Sequence, residues 1–311
     1  MAESYTSHTN VMGSRPAAWS IRVWLIRQSK YLFIVPALLL ILGIGIFPLL
    51  YSLSISFTDW TIQNPDWSFI GLNNYRQVLL ADTDWQLAMV RSIFITVVAV
   101  AIELALGFAI AHLLLDALPG KNLIVALLIF PVVMNPIVVG FIWKVLFNPS
   151  YGPINQILGA PLMQSPLNII WLANQKLAIW AILITEIWQW TPFMFLAMLA
   201  GLLSLNPELY EAAAIDGASR WNILTRITIP LLKPIIITIV LIRGLDVFKL
   251  FDVVFVMTNG GPGTATQMIS HYVYLLGFKY FRLGYAAAAS YLLLIFLSIA
   301  VPLLLRQFSK E

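Results

Sequence analysis

The chain has 311 residues, of which 60% are hydrophobic and only 10% are charged, and its formal net charge is +4. Soluble globular domains carry about 25% charged residues, so this composition excludes an ordinary soluble protein and indicates an integral membrane protein. The absence of cysteine excludes disulfides and thiolate metal sites, and the scattered histidines have no metal-ligand spacing. No basic tract interleaved with aromatic residues appears, so nucleic-acid binding is not predicted.

Residues 1–30 form a cytoplasmic N-terminal segment. They are polar and lack the short apolar core and small-residue cleavage site of a secretory signal. Within this segment, AAWSIRVWLIRQSKY at 17–31 mixes apolar residues with arginine, and two interpretations stay open. It is either an interfacial helix on the inner membrane surface or a polar lead-in to the first span. Residues 31–311 are predicted to form one domain.

Six stretches of the remaining chain are long and apolar enough to cross a membrane, since a spanning helix needs about 20 mostly apolar residues. The runs are continuous rather than alternating, which favours helices over barrel strands. Prolines within them predict kinks. The fold class is therefore an all-α integral membrane protein with six transmembrane helices. The predicted spans are 32–57, 87–115, 122–147, 171–204, 231–257 and 283–305.

Basic residues near the first span predict the orientation of the chain. Four of them precede this span, and no further basic residue follows until Arg76. This asymmetry places both termini in the cytoplasm, together with the loop between the fourth and fifth spans. The four residues are Arg15, Arg22, Arg27 and Lys30.

The loop between the fourth and fifth spans reads NPELYEAAAIDGASRWNILTRITIPLLKP, residues 206–234. Asn206 can cap a helix that starts at Pro207. That helix is expected to stop at Gly217, and a second short helix starts from about Ser219. The pattern predicts a cytoplasmic helix–turn–helix. From the residues alone, it is either a docking surface with a small alanine face or a simple connection between two spans.

The same loop resembles the EAA motif of permease subunits of ATP-binding cassette importers, which is written EAA, three residues, G, nine residues, I-x-L-P. Ile229 stands where leucine is usual. The segments FNPSYG, WTPFM and NGGPG further resemble the sugar-permease branch, exemplified by maltose, trehalose and glycerol-phosphate importers. The matching positions of the motif are Glu211, Ala212, Ala213, Gly217, Ile227 and Pro230.

The resemblance implies a transport subunit and not an enzyme. With a second homologous permease it would form the path of a sugar, such as a di- or oligosaccharide, a glycoside or a related polyol. An extracytoplasmic solute-binding protein would deliver the solute at a bacterial or archaeal cytoplasmic (inner) membrane. Two cytoplasmic ATPase subunits would hold ATP and Mg, and this chain has no phosphate-binding G-x-x-x-x-G-K-[ST] loop and needs no cofactor of its own.

The resemblance also makes the loop at 206–230 the coupling helix, which docks on an ATPase. The residues assigned to this contact are Glu211, Ala212, Ala213, Asp216, Gly217 and Ala218.

Charges at membrane depth are costly and usually face a bundle interior or a wet cavity. RGLDVFKLFD at 243–252 carries four charges that alternate in sign every third residue. Because residues three apart on a helix are neighbours, three ion pairs are expected along this ladder. It either lines the translocation path or locks the helix to a neighbour. The expected pairs are Arg243–Asp246, Asp246–Lys249 and Lys249–Asp252.

The fourth span contains EIWQWTPFM at 186–194, which offers an aromatic platform and polar groups of the kind that sugars bind. The other interpretation is that its tryptophans pack or face lipid. The resemblance adds Asn135, before Pro136. The predicted path residues are Asn135, Glu186, Gln189, Trp190, Asp246 and Lys249. The residues assigned to a gate or to structural ion pairs are Glu103, Arg243 and Asp252, with Glu103 a candidate partner for a cation of the fifth span.

Two other functions are weighed against the permease. One is a secondary sugar carrier coupled to protons or sodium through the intramembrane acids. The other is a membrane enzyme acting on lipid-linked sugars, with Glu186, Asp246 and Asp252 as acid–base groups. Neither function explains the loop that resembles the EAA motif.

Overall fold

The computed structural model describes residues 31, 34–64, 66–115, 119–159 and 168–309, with side chains of the last helix up to Arg306. The two interpretations of residues 1–30 therefore lie outside the described residues. The chain divides into two compact units, Met1–Ser54 and Ile55–Glu311. In the first unit, the described residues are almost all helical and none of them is buried.

Helices make up nearly all of the described structure, and the all-α prediction is confirmed. Within the described ranges the only β features are two isolated bridges, Thr58 with Phe69 and Thr61 with Asn64. The helices are α1 (Ile34–Ser56), α2 (Asn73–Leu80), α3 (Thr83–Leu113), α4 (Lys121–Val133), α5 (Pro136–Leu146), α6 (Pro153–Gly159), α7 (Gln175–Leu203), α8 (Pro207–Ile215), α9 (Arg220–Ile223), α10 (Ile229–Phe248), α11 (Asp252–Met257), α12 (Ile269–Tyr274) and α13 (Leu283–Ser309).

Four described helices are long and apolar enough to cross a membrane: α1, α3, α7 and α13. The predicted third span is the pair α4 and α5, which passes the same test but is bent by 99°. The bend has a local cause. Asn135 precedes Pro136, and the residue before a proline is pushed out of the helical conformation. Met134 and Asn135 are both extended.

The predicted fifth span, 231–257, is not one continuous helix. It consists of α10, which ends at Phe248, and α11, which begins at Asp252. Every 18-residue stretch of α10 contains its three charged residues, Lys233, Arg243 and Asp246, whereas each of the four apolar helices has such a stretch with at most two. The break removes the helical spacing on which the expected charge ladder depends.

Close packing of α3 against α7 forms the centre of the second unit. A Cβ atom added to Gly107 of α3 would lie 2.6 Å from Cβ of Met194 and 2.7 Å from the backbone nitrogen of Phe195, both on α7. Side chains around this crossing, including Ile95, Ile182 and Phe195, are fully buried. The α3 and α7 backbones therefore touch, and α10 packs beside them.

A second contact joins the two short helices at the ends of the broken spans. A Cβ atom on Gly140 of α5 would lie 3.1 Å from Cβ of Val256 on α11. Lys144 Nζ donates a hydrogen bond of 2.9 Å to the backbone oxygen of Val256, one of the carbonyls that a helix end leaves without a helical partner. The bent pair is therefore attached to the segment beyond α10.

Candidate functional site

A buried ionic cluster lies where α3, α7 and α10 meet. Each of these helices contributes one side chain, Glu103, Glu186 and Arg243, and none exposes more than 2% of its surface. Arg243 donates from Nε to Glu103 Oε2 at 2.9 Å and from Nη2 to Glu103 Oε1 at 3.1 Å. Arg243 Nη2 also donates to Glu186 Oε1. Glu103 thus pairs with a cation of the predicted fifth span, one of the interpretations that its position left open.

Two predicted path residues adjoin this cluster. The Trp190 ring lies beneath the Arg243 guanidinium, with 4.5 Å between Cζ and the ring centroid, a cation–π arrangement. Gln189 is buried and donates from Nε2 to the backbone oxygen of Met134 at 3.1 Å. The cluster is therefore linked to the bend between α4 and α5.

Asn135 stabilises that bend directly. Its Oδ1 accepts a hydrogen bond of 2.9 Å from the backbone N–H of Ile137, so it caps the N-terminus of α5. The side chain is exposed, while the adjacent Met134 carbonyl meets Gln189. Asn135 and Gln189 are thus held on the same bend, although they lie on different predicted spans.

The charge ladder is corrected by the structure. Of the three expected pairs, only Asp246 with Lys249 is present, at 4.0 Å. Over the part of the chain that is described, Arg243 pairs with Glu103 and Glu186 instead of Asp246, and Lys249 has no ion pair with Asp252. The reason is that α10 ends at Phe248, so the helical spacing stops before Asp252, while Arg243 points into the bundle.

Asp246 and Lys249 stay outside the bundle. Their side chains are 53% and 60% exposed, respectively. Asp252 is half-buried at the first position of α11. The structure thus separates the ladder into a buried cation and an exposed pair of opposite charges, with Asp252 on the far side of the break.

The loop between α7 and α10 forms two short helices, as predicted. Asn206 Oδ1 accepts a hydrogen bond from the backbone N–H of Glu208 at 3.0 Å, and Pro207 is the first residue of α8. Gly217 has a φ of +72°, which a side chain would strain, and it ends α8. Ser219 then caps α9, accepting from the N–H of Asn222 at 3.2 Å.

Contacts within this loop hold α8 against the start of α10. The Tyr210 hydroxyl lies 3.1 Å from Thr228 Oγ1, and the Ala213 side chain is buried. Two large apolar residues point away instead, Ile215 with 87% exposure and Trp221 with 71%. Of the six residues assigned to coupling, Glu211, Ala212, Asp216 and Gly217 are exposed, Ala218 is half-buried and Ala213 faces inward.

Sequence reasoning missed a polar cluster on the predicted outer side. Asp82 Oδ1 accepts from the N–H of Trp85 at 3.0 Å and caps α3. Asp82 Oδ2 accepts from the hydroxyls of Tyr285, at 2.6 Å, and of Tyr272. Burial raises the pKa of Tyr272, and its hydrogen bond to Asp82 raises that pKa further. A capping role for Asp82 depends on residues within one helical turn and can be predicted from the sequence. The contacts with the two tyrosines cannot, because these residues lie about 200 positions further along the chain.

Known proteins resemble this chain over most of its length. Residues 16–310 match a family model described as binding-protein-dependent transport system inner membrane component. The trehalose/maltose transport system permease protein MalF of Thermococcus litoralis is 39% identical over 264 residues, covering 83% of this chain and 85% of that protein. The trehalose transport system permease protein SugA of Mycobacterium tuberculosis is 34% identical over 268 residues, covering 86% and 84%.

A solved structure shows the same fold. A chain of a bacterial ABC transporter involved in the import of the acidic polysaccharide alginate superposes with a TM-score of 0.77. The match covers 93% of this chain and 99% of that chain at 20% sequence identity. At this identity the likeness shows the fold and not the solute.

Proposed function

The chain belongs to the family of binding-protein-dependent transport system inner membrane components and is an ABC importer permease, a transport subunit rather than an enzyme; from this we propose that it carries a sugar, driven by a separate ATPase. A second permease would complete the path. An extracytoplasmic binding protein would deliver the solute, and two cytoplasmic ATPase subunits would bind ATP and Mg.

The sugar assignment is supported by the relatives. Two of them, at 39% and 34% identity, are named for trehalose or maltose. Among the predicted path residues, Asn135, Asp246 and Lys249 are exposed and carry groups that can form hydrogen bonds with hydroxyls. A neutral disaccharide is therefore the solute that we propose, with trehalose and maltose as the first compounds to test.

The observation that carries the ATPase coupling is the exposed, capped helix–turn–helix of α8 and α9. Both helices are short and capped, and the contact between the Tyr210 hydroxyl and Thr228 connects α8 to the segment that leads into α10. Ile215 and Trp221 form apolar surface that is costly to leave in water. We assign this surface to a groove on the ATPase, with Glu211 and Asp216 as polar contacts. The assignment requires this loop, and both termini, to be cytoplasmic.

Copurification is the first test of this assembly. A tagged chain, expressed with its genomic neighbours, is expected to bring down an ATPase and a second permease in detergent. Uptake into reconstituted vesicles should require ATP and persist when proton and sodium gradients are collapsed. Uptake that needs no ATPase but stops with the gradients would favour the secondary carrier.

Two loop variants test the coupling role. Glu211→Ala and Gly217→Pro are expected to leave the assembled complex intact but to lower uptake per ATP hydrolysed at least about tenfold, which corresponds to about 1.4 kcal/mol of lost coupling. Glu208→Ala is the matched control, since Glu208 accepts a hydrogen bond from Asn206 within the loop at 3.2 Å. Unchanged uptake and hydrolysis in both test variants would remove the loop from the coupling mechanism.

A further inference from the structure

The buried cluster contains one more acidic group than basic groups. Two carboxyls, Glu103 and Glu186, face a single guanidinium, Arg243, and all three side chains are excluded from solvent. With both carboxyls ionised, the cluster would carry one uncompensated negative charge. An isolated charge in a low-dielectric interior is strongly unfavourable, and the usual outcome is that one group becomes neutral.

The hydrogen bonds distinguish the two carboxyls. Glu103 uses both oxygens, in a bidentate contact with Arg243 Nε and Nη2. This is the arrangement in which a carboxylate binds arginine most strongly. Among the described residues, Glu186 accepts only through Oε1, from Arg243 Nη2, and its buried Oε2 has no hydrogen-bond partner there. Glu103 is therefore placed to hold the negative charge.

No other described cation compensates Glu186. From α3 it faces the electrostatic influence of Glu103, and from α10 that of Arg243 and Asp246, while Asp252 of α11 adds a further negative charge. Lys249, six residues after Arg243, is paired with Asp246 and exposed. Apart from the guanidinium that Glu186 shares with Glu103, the charged groups that act on Glu186 are therefore negative.

A second buried acceptor without a donor lies one turn along α7. Gln189 donates through Nε2 to the Met134 carbonyl, which leaves Oε1 as an acceptor. This oxygen is buried and has no hydrogen-bond partner in the part of the chain that the structure describes. Residues three apart on a helix are neighbours. Two acceptors cannot satisfy each other, but a single added proton converts one of them into a donor.

We propose that Glu186 Oε2 is a proton-binding site, and that the proton is directed at Gln189 Oε1. The cluster then contains an ionised Glu103, the Arg243 cation and a neutral Glu186, so its net charge is zero. The proton comes from water and no bond other than O–H is formed. A continuous set of hydrogen bonds would run from α3 through Arg243, Glu186 and Gln189 to the bend at Met134. The inference does not depend on which solute is carried.

Infrared spectroscopy of the assembled transporter tests this directly. At neutral pH, a difference spectrum between wild type and Glu186→Gln is expected to show a protonated-carboxyl C=O band that the variant has lost. Glu103→Gln is the matched variant. It should also lose the band, because Glu186 then becomes the only carboxylate available to Arg243 and ionises.

Stability gives a second, independent readout. An amide resembles a protonated carboxyl in shape and hydrogen bonding, so Glu186→Gln should shift the unfolding midpoint by no more than about 2 °C. Glu103→Gln breaks the bidentate contact with Arg243 and leaves Glu186, which makes one hydrogen bond to the guanidinium, as its carboxylate, so the midpoint should fall by at least about 5 °C.

Three results would overturn the proposal: no carboxyl band lost in Glu186→Gln, equal destabilisation by the two variants, or a Glu186→Gln protein that fails to assemble.

Discussion

The buried side chain of His271 is surrounded by aromatic residues of its own helix and of the segment that contains α11. It is fully buried among the rings of Phe251, Phe255 and Tyr274. Its Nε2 lies 3.1 Å from Asn259 Oδ1, whereas Nδ1 is buried and has no hydrogen-bond partner among the residues that the structure describes. Burial lowers the pKa of His271 below its usual value, and the positive charge of Lys279 lowers it further. The imidazole is therefore held neutral.

This predicts that acid destabilises the folded structure around His271 in α12. Because the pKa in the folded state is below the ordinary value of 6.5, the unfolded chain binds the proton first. The contribution of the neutral imidazole to the free energy of unfolding is therefore fully present above about pH 6.5, and it is lost as the pH falls below that value. The measurement is the thermal unfolding midpoint of the detergent-solubilised transporter between about pH 8 and pH 5. His271→Gln should flatten this dependence, and parallel curves for both proteins would contradict the prediction.

At the scale of helices, a few close approaches hold the elements together. α3 and α7 touch at Gly107, where the α7 backbone at Phe195 occupies the space that a side chain would need. α5 and α11 are joined by Gly140 and by the hydrogen bond from Lys144 to Val256. The contact at Gly107 fixes α3 and α7, the helices that carry Glu103, Glu186 and Gln189. The positions of those polar side chains therefore depend on a residue that has no side chain.

Gly107→Ala is accordingly expected to disturb the whole cluster. The added methyl would lie 2.6 Å from Cβ of Met194, and overpacking of this kind costs about 1–3 kcal/mol. The thermal midpoint and the yield of assembled transporter should both fall. Gly244→Ala is the matched control, because its nearest neighbour within the chain, Thr96 Cγ2, is 4.0 Å away. A Gly107→Ala protein as stable as this control would show that the helices can separate without cost.

For the whole molecule, the informative feature is a pair of exposed opposite charges on a segment that is predicted to lie at membrane depth. Asp246 and Lys249 are more than half exposed beside the break between α10 and α11. Charges at membrane depth need water or a partner. A water-filled path shared with a second permease would provide both, and this agrees with the path role predicted for the two residues.

Substitution of Asp246 tests that role. Asp246→Ala is expected to reduce sugar uptake by reconstituted transporter about tenfold, whereas Asp246→Asn should reduce it only about threefold, since the amide keeps a hydrogen-bonding oxygen. Asp66→Ala, on the predicted outer loop, serves as the control for loss of an exposed carboxylate. Wild-type uptake by both Asp246 variants would exclude this residue from the path.

Local patterns in the sequence were sufficient for the helices and for the loop between α7 and α10. Apolar runs predict helices because burial in lipid requires a continuous apolar surface and internally satisfied backbone. Asn206, Pro207 and Gly217 predict the bounds of α8 because capping and left-handed turns depend on residues within one turn of the helix. The break after Phe248, which divides the predicted fifth span into α10 and α11, was missed.

The sequence by itself determined that this is a helical membrane protein with a helix–turn–helix between two spans, since hydropathy and capping are local properties, and the cytoplasmic side of that loop stays a prediction from the basic residues near the first span. Only the tertiary structure decided how its buried charges pair. Arg243 does not pair with Asp246, three residues away. It pairs with Glu103, 140 positions distant, and with Glu186, 57 positions distant. A buried guanidinium needs carboxylates that are themselves shielded from water, and the packing of α3 and α7 determines which carboxylates those are.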